Sequence, residues 1–149
     1  MFTKKPQIFQ TAEELCVSYG GHLASITDAF TNKFIYTEAL KAFAPDKLDV
    51  FWLGGITWDG VDWTWTDGTP FSYTNWDGQP FGDGDTCIEQ QLSNGKWTTD
   101  ICDNVEQYYV CALPPNVTTT TQMTTTAPLC DGNKCAAFCL EGTYKYVIK

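Results

Sequence analysis

Five short runs dominate the middle of the chain: FWLGGI, VDWTWT, TCIEQQL, KWTTDIC and QYYVCAL, all between Phe51 and Leu113. Each is rich in aromatic and β-branched residues, which suit a pleated, half-buried surface. Asp-Gly, Asn-Gly and Pro turns divide them, so they read as strands. Asn94-Gly95, between IEQQLS and KWTT, predicts a hairpin. Upstream of Phe51 the period is helical. TAEELCVSYGG predicts a short helix, with Thr11 as its cap, Glu14 completing an S/T-x-x-E capping box, and Gly20 or Gly21 at its end. HLASI follows as a brief extended segment. A second helix is expected from Thr27, with Phe30, Phe34, Ile35, Leu40 and Phe43 as its apolar face and Pro45 just beyond its end. Two helices followed by a run of strands make an α+β domain.

The composition breaks after Leu113. PPNVTTTTQMTTTAP contains no aromatic residue and cannot bury a core. Its Thr and Pro content reads as an O-glycosylated stalk, and Asn116-Val117-Thr118 is an N-glycosylation sequon. The tail carries Cys130, Cys135 and Cys139, an odd number in a segment too short for a domain. The expected organisation is therefore a folded domain over 1–113, a disordered linker over 114–128 and the start of a truncated Cys-rich module over 129–149. Seven cysteines in 149 residues suit an oxidising, secreted or extracellular setting. There is one histidine and no C-x-x-C pair, which disfavours zinc. The start, MFTKKPQIFQ, is basic without an apolar core, so it is not a signal peptide, and the natural N-terminus is expected to lie upstream.

Charge narrows the partners. Residues 59–106 hold ten acids against one lysine, Lys96, and so carry the whole net charge of −9; the chain has no arginine. Nucleic-acid binding, which rests on Lys and Arg neutralising phosphates, is disfavoured. A solvated acidic surface accounts for the cluster, and a face for a cation or a basic partner is the sharper reading. No apolar run is long enough to span a membrane.

The first 113 residues resemble the C-type lectin-like domain. AEELCVSYGGHLASI is similar to the family's first helix, first cysteine and following strand, and FWLGG to its WIGL core motif. DWTWTDGTPFSYTNW resembles the entry to the family's long loop, and Cys87, Cys102 and Cys111 fall where its remaining cysteines do. The usual first strand reads as short or truncated before Phe9. The resemblance implies two helices packed on short antiparallel strands, a long irregular loop and two disulfides. Sequence alone leaves three pairings of Cys16, Cys87, Cys102 and Cys111; the resemblance implies Cys16–Cys111 and Cys87–Cys102.

It also implies a way of binding. Family members hold sugar through calcium, with ligands from an E-P-N or Q-P-D triplet, an acid two residues before the third cysteine, and the Asn-Asp of W-N-D. The matching triplet is Gln79-Pro80-Phe81, and Pro80 is expected to keep a cis bond. Asp85 keeps the acid position, and Trp97-Thr98-Thr99 replaces W-N-D. Two of the five side-chain ligands survive, Gln79 and Asp85, and calcium affinity follows ligand charge and count. Calcium at a shifted site would need Asp83 and Asp100 to turn inward. The ligand-facing candidates are Gln79, Phe81, Asp85, Trp97, Thr98 and Thr99.

Other chemistry is poorly supported. His22 reads as a packing residue after the first helix. Asp83 and Asp85 are too close on one loop to flank a glycosidic bond. Trp52, Trp63 and Trp65 read as core, while Trp76 or Trp97 could border a ligand, and Phe81 is a ring at a loop tip, costly in water unless it packs or binds. The expected function is a non-enzymatic, extracellular module that binds glycan by resemblance, its calcium site largely degenerate. The alternative is a calcium-independent protein-binding or structural module of a larger glycoprotein.

Overall fold

The computed structural model describes residues 1–43, 46, 48–82 and 84–115. Asp83, Pro45, residues 116–128 of the linker with Asn116, and Cys130, Cys135 and Cys139 lie outside the described residues.

The chain order is β1 (Phe2–Gln7), α1 (Phe9–Ser18), β2 (His22–Leu23), α2 (Ala29–Phe43), β3 (Val50–Thr57), β4 (Thr64–Trp65), β5 (Thr86–Gln91), β6 (Trp97–Ile101) and β7 (Gln107–Ala112). The sheet runs β1-β7-β3-β5-β6, with β2 added to β7 and β4 to β3. The pairings are antiparallel except that of β3 with β7, which brings Phe51 opposite Tyr108 in parallel register. The expected hairpin forms. β5 and β6 pair from Thr86↔Ile101 to Gln90↔Trp97, and Gly95 N–H closes the turn on the Gln91 carbonyl at 2.9 Å.

Three local expectations are corrected. The first strand, read as short or truncated, spans six residues: Phe2–Gln7 pairs with β7, Phe2 opposite Val110. Its Lys4, Lys5 and Pro6 break the apolar pattern because it is an edge strand, where lysine and proline deter further pairing. Helix α1 begins at Phe9 with Ile8 as its cap, and no side chain caps it, so Thr11 lies inside the helix. Tertiary packing sets this start. Phe9 is buried with its ring edge-on to Trp52 at 5.8 Å, and its N–H donates to the Cys102 carbonyl. Helix α2 is capped by Asp28 rather than Thr27, since Thr31 N–H donates to Asp28 Oδ1 at 2.8 Å. That backbone bond holds the Asp28 carboxyl below the usual range. The inward stripe of α2 is Asn32, Ile35, Ala39 and Phe43, so Phe30 faces solvent, 72% exposed.

The sheet separates two apolar clusters. Ile35, Phe43, Phe51, Leu53, Trp65, Ile88 and Trp97 lie in the larger one with α2. Phe9, Ala12, Leu23, Trp52 and Tyr109 fill the smaller one with α1 and both disulfides. Cys16–Cys111 ties α1 to β7 and Cys87–Cys102 ties β5 to the end of β6, with Cα separations of 5.4 and 5.2 Å, within the ordinary range. The implied pairing is therefore the one present. Glu13 joins this end together: Oε1 meets His22 Nδ1 at 2.6 Å, and Oε2 accepts Leu23 N–H at 2.8 Å and the Thr66 hydroxyl at 3.1 Å. His22 is thus engaged with Glu13 at the start of β2.

Candidate functional site

The span between β4 and β5 crosses from Thr66 to Asp85 without a strand of its own, apart from one bridge. It is held by the chain itself. Trp97 N–H donates to the Asn75 carbonyl and Asp77 N–H to the Trp97 carbonyl, both at 2.8 Å, so the loop lies along β6. Asn32, Asn75 and Gln90 each donate a side-chain amide to the Gly95 carbonyl, at 3.2, 3.0 and 2.9 Å. Asp77 accepts Gln91 Nε2 at 3.0 Å, Asn94 Nδ2 at 3.1 Å and Lys96 Nζ at 3.2 Å. Those bonds, the one from Gln91 foremost, keep its carboxyl below the usual range.

Trp97 lies in the core. It is fully buried, with Trp65, Tyr73 and Trp76 packed edge-on around it at 5.5–5.7 Å. Its Nε1–H donates to Asn32 Oδ1 at 2.7 Å, and the same oxygen accepts Gln90 Nε2 at 2.9 Å. The other candidates are nearer the surface. Gln79 and Asp85 are exposed, and Thr98, Thr99 and Asp100 are half-buried along β6. Phe81 is 67% exposed. The Thr99 hydroxyl donates to the Phe81 carbonyl at 2.8 Å, and Asp100 Oδ1 accepts Ile101 N–H at 2.7 Å. The described backbone has no cis peptide bond, so Gln79–Pro80 is trans, contrary to expectation. Among the described residues no three acidic, His or Cys side chains converge as metal ligands.

Two features were not anticipated. The first is an open depression of about 540 Å³ walled by Trp63, Phe71 and Trp76, with Gly60, Val61, Asp62, Thr74 and Pro80 completing its lining. Trp63, read as core, is therefore only half-buried. One side of the depression is a tight turn built on Asp59, whose Oδ1 accepts the N–H groups of Val61 and Asp62 at 2.9 Å. These bonds, that from Asp62 first, lower the Asp59 carboxyl. Gly60 sits in this turn at φ +74°, and a Cβ there would lie 2.3 Å from the Gly82 carbonyl oxygen. Gly60→Ala should therefore push the two loops apart and cost about 1–3 kcal/mol, read by chemical denaturation. Gly68→Ala is the control, because Gly68 has φ +75° with no atom within 4 Å of its Cβ position. It should cost less than Gly60→Ala.

The second feature is Glu89, buried in the middle of β5 between Trp52 and Thr98, with Oε1 unpartnered. Burial pushes its carboxyl up to about 7, the Asp100 charge adds to this, and a hydrogen bond from Gln107 offsets part of it. The folded domain thus keeps this proton to higher pH than the unfolded chain does. The stabilisation is complete below about pH 4.5 and is lost as pH rises to about 7. Glu89→Gln should remove that slope and leave the domain up to about 3 kcal/mol more stable than the parent above pH 7. Denaturation midpoints of parent and variant across pH read the difference.

The family model described as Lectin C-type domain matches residues 5–113. The chain belongs to the C-type lectin domain family. The secretory phospholipase A2 receptor of Bos taurus is 31% identical over 105 residues, 70% of this chain but only 7% of the receptor. The galactose-specific lectin nattectin of Thalassophryne nattereri is 31% identical over 107 residues, covering 68% of this chain and 65% of nattectin. The crystal structure of CEL-IV superposes with a TM-score of 0.70 at 25% identity, over 76% of this chain and 85% of that one. Within this C-type lectin domain, Gln79-Pro80-Phe81 and Trp97-Thr98-Thr99 stand where the resemblance places the calcium-binding triplet and the W-N-D motif. A ring, two hydroxyl side chains and one amide fit a hard dication poorly, since Ca²⁺ takes six to eight oxygens, several of them carboxylate. Asp85 is the one carboxylate among the matching positions.

Proposed function

We propose that this C-type lectin domain is an extracellular, non-enzymatic module that recognises glycan without calcium at the triplet position. One observation carries the reading. Phe81 replaces an oxygen donor with an exposed ring, and its carbonyl takes the hydroxyl of Thr99, the residue standing for the W-N-D aspartate. Family membership and the galactose-specific relative support carbohydrate as the ligand class. The two disulfides suit the extracellular setting. Among the described residues no helix is long and apolar enough to cross a membrane. In the same proposal residues 1–113 are the recognition domain, 114–128 a stalk glycosylated at Asn116, and 129–149 the start of a second module.

A second reading is favoured by Trp58, Val61 and Phe81, which are 62%, 76% and 67% exposed. Val61 and Phe81 flank the two glycines at which their loops meet. Exposed rings on touching loops are characteristic of a protein-binding surface. A glycan array probed in chelator and in millimolar calcium separates the readings. The glycan reading expects the same glycans bound in both. Binding that vanishes in chelator contradicts it, and no glycan bound in either condition favours the protein partner.

A further inference from the structure

We infer that the depression walled by Trp63, Phe71 and Trp76 is a binding site for a neutral pyranose sugar that adjoins the triplet position only through Pro80. This rests on the glycan-recognition reading above. Its lining contains none of Gln79, Asp85, Thr98 or Thr99. The ring centroids lie 5.0 Å apart for Trp63–Trp76, 6.3 Å for Trp63–Phe71 and 6.5 Å for Phe71–Trp76, with interplanar angles of 54°, 27° and 30°.

Those distances decide the chemistry. A cage for an ammonium group needs rings facing one another across the ion, each centroid within about 6 Å of it. Here the centroids are too close for an ion to sit between any two rings, and the three rings together line the depression. A wall of this kind accepts a flat apolar surface, and the C–H face of a pyranose is one. The sugar's edge hydroxyls then need partners. Asp62 and Thr74 stand on the lining, both exposed, and neither side chain has a partner among the described residues. The carboxylate accepts two hydroxyls and the threonine hydroxyl donates or accepts one.

Charge selects among sugars. Asp62 stands on the lining and Asp59 in the turn beside it, and the lining holds no lysine. An anionic sugar would meet uncompensated like charge, so a neutral one is required. The volume, about 540 Å³, lies within the about 300–1,000 Å³ of small-ligand pockets.

The test uses the full chain in chelator, with tryptophan indole N–H signals followed by NMR. The probes are the methyl glycosides of galactose, glucose, mannose and N-acetylglucosamine, with a methyl sialoside as the anionic control. At least one neutral glycoside should shift the Trp63 and Trp76 signals saturably while the buried Trp97 signal moves least. Asp62→Asn, at an exposed position, should weaken that binding about fivefold or more. The inference is overturned if no neutral glycoside moves those two signals, if Asp62→Asn and Thr74→Ala both bind like the parent, or if the sialoside binds best. Array binding that persists while Trp63 and Trp76 stay unmoved rejects this site and leaves the glycan reading standing; loss of both rejects both.

Discussion

Trp97→Ala is expected to cost about 3–5 kcal/mol, the usual toll for truncating a fully buried aromatic side chain. Domains of this size are stable by only about 5–15 kcal/mol in total, so the variant should be partly unfolded or close to it at room temperature. The ring has no exposed surface and is enclosed by the rings of Trp65, Phe71, Tyr73 and Trp76. Truncation opens a cavity at the point where the loop is fastened to β6. It also removes the N–H that Asn32 Oδ1 accepts. Trp97→Phe separates the two contributions: it keeps most of the burial and should cost only about 1–2 kcal/mol, chiefly the lost hydrogen bond. Phe81→Ala, at a ring 67% exposed, should lie within about 0.5 kcal/mol of the parent. Denaturant midpoints of the three variants check this order. A loss below about 1 kcal/mol for Trp97→Ala would place that ring at the surface and return it to the ligand-facing candidates.

Replacing both Cys16 and Cys111 by alanine should destabilise the domain more than replacing Cys87 and Cys102. The first bridge closes a separation of 95 residues and the second one of 15. On a chain-entropy reckoning, loops of these lengths confer about 4.7 and 3 kcal/mol, before any difference in native packing. The long bridge also fastens α1 to β7, the strand that β1 and β2 both pair with. Its loss should therefore loosen α1, β1 and β2 from β7 together. Paired denaturation curves under non-reducing conditions measure both effects, and a larger loss from the Cys87–Cys102 removal would contradict the account.

The central strands were plainest in the sequence, and KWTTDIC, a half-buried edge, was legible through the hairpin turn at Asn94-Gly95. TCIEQQL and FWLGGI are almost wholly buried, and their aromatic and β-branched content has no other use. The strand read as short or truncated, FTKKPQ, is an edge, where solvent rather than the core chooses the residues. Helix starts were misplaced by one to three residues. Local capping chemistry was outweighed by the burial of Phe9 in α1, and the neighbouring Asp28 offered a better acceptor for α2. Asn32 was invisible for a related reason. A polar residue on an inward stripe makes sense only once its partners, Gln90 and Trp97, have been brought from 58 and 65 residues away.

The candidate site was legible in part. The positions of the triplet and of Asp85 follow from Cys87 and Cys102, but the depth of Trp97 does not, because a tryptophan on a strand looks alike whether it faces the core or the rim. The wall of Trp63, Phe71 and Trp76 is drawn from a loop without periodicity, so no spacing announced it. Glu89 did leave a signal: a carboxylate in the middle of a continuous apolar run marks either a functional group or a titration penalty.

Calcium binding at the triplet is the most direct test of the whole account. The thermal transition of the full chain is followed in chelator and in millimolar calcium. The predicted result is two coincident transitions, because Asp85 and Gln79 supply one carboxylate and one amide, and a site weaker than millimolar adds well under about 1 kcal/mol. A chain carrying Phe81→Asn, Thr98→Asn and Thr99→Asp should gain a calcium-dependent rise, since a ligand at a hundred times its dissociation constant stabilises by about 2.7 kcal/mol. A clear calcium-dependent rise in the unaltered chain, abolished by Asp85→Ala, would contradict the account.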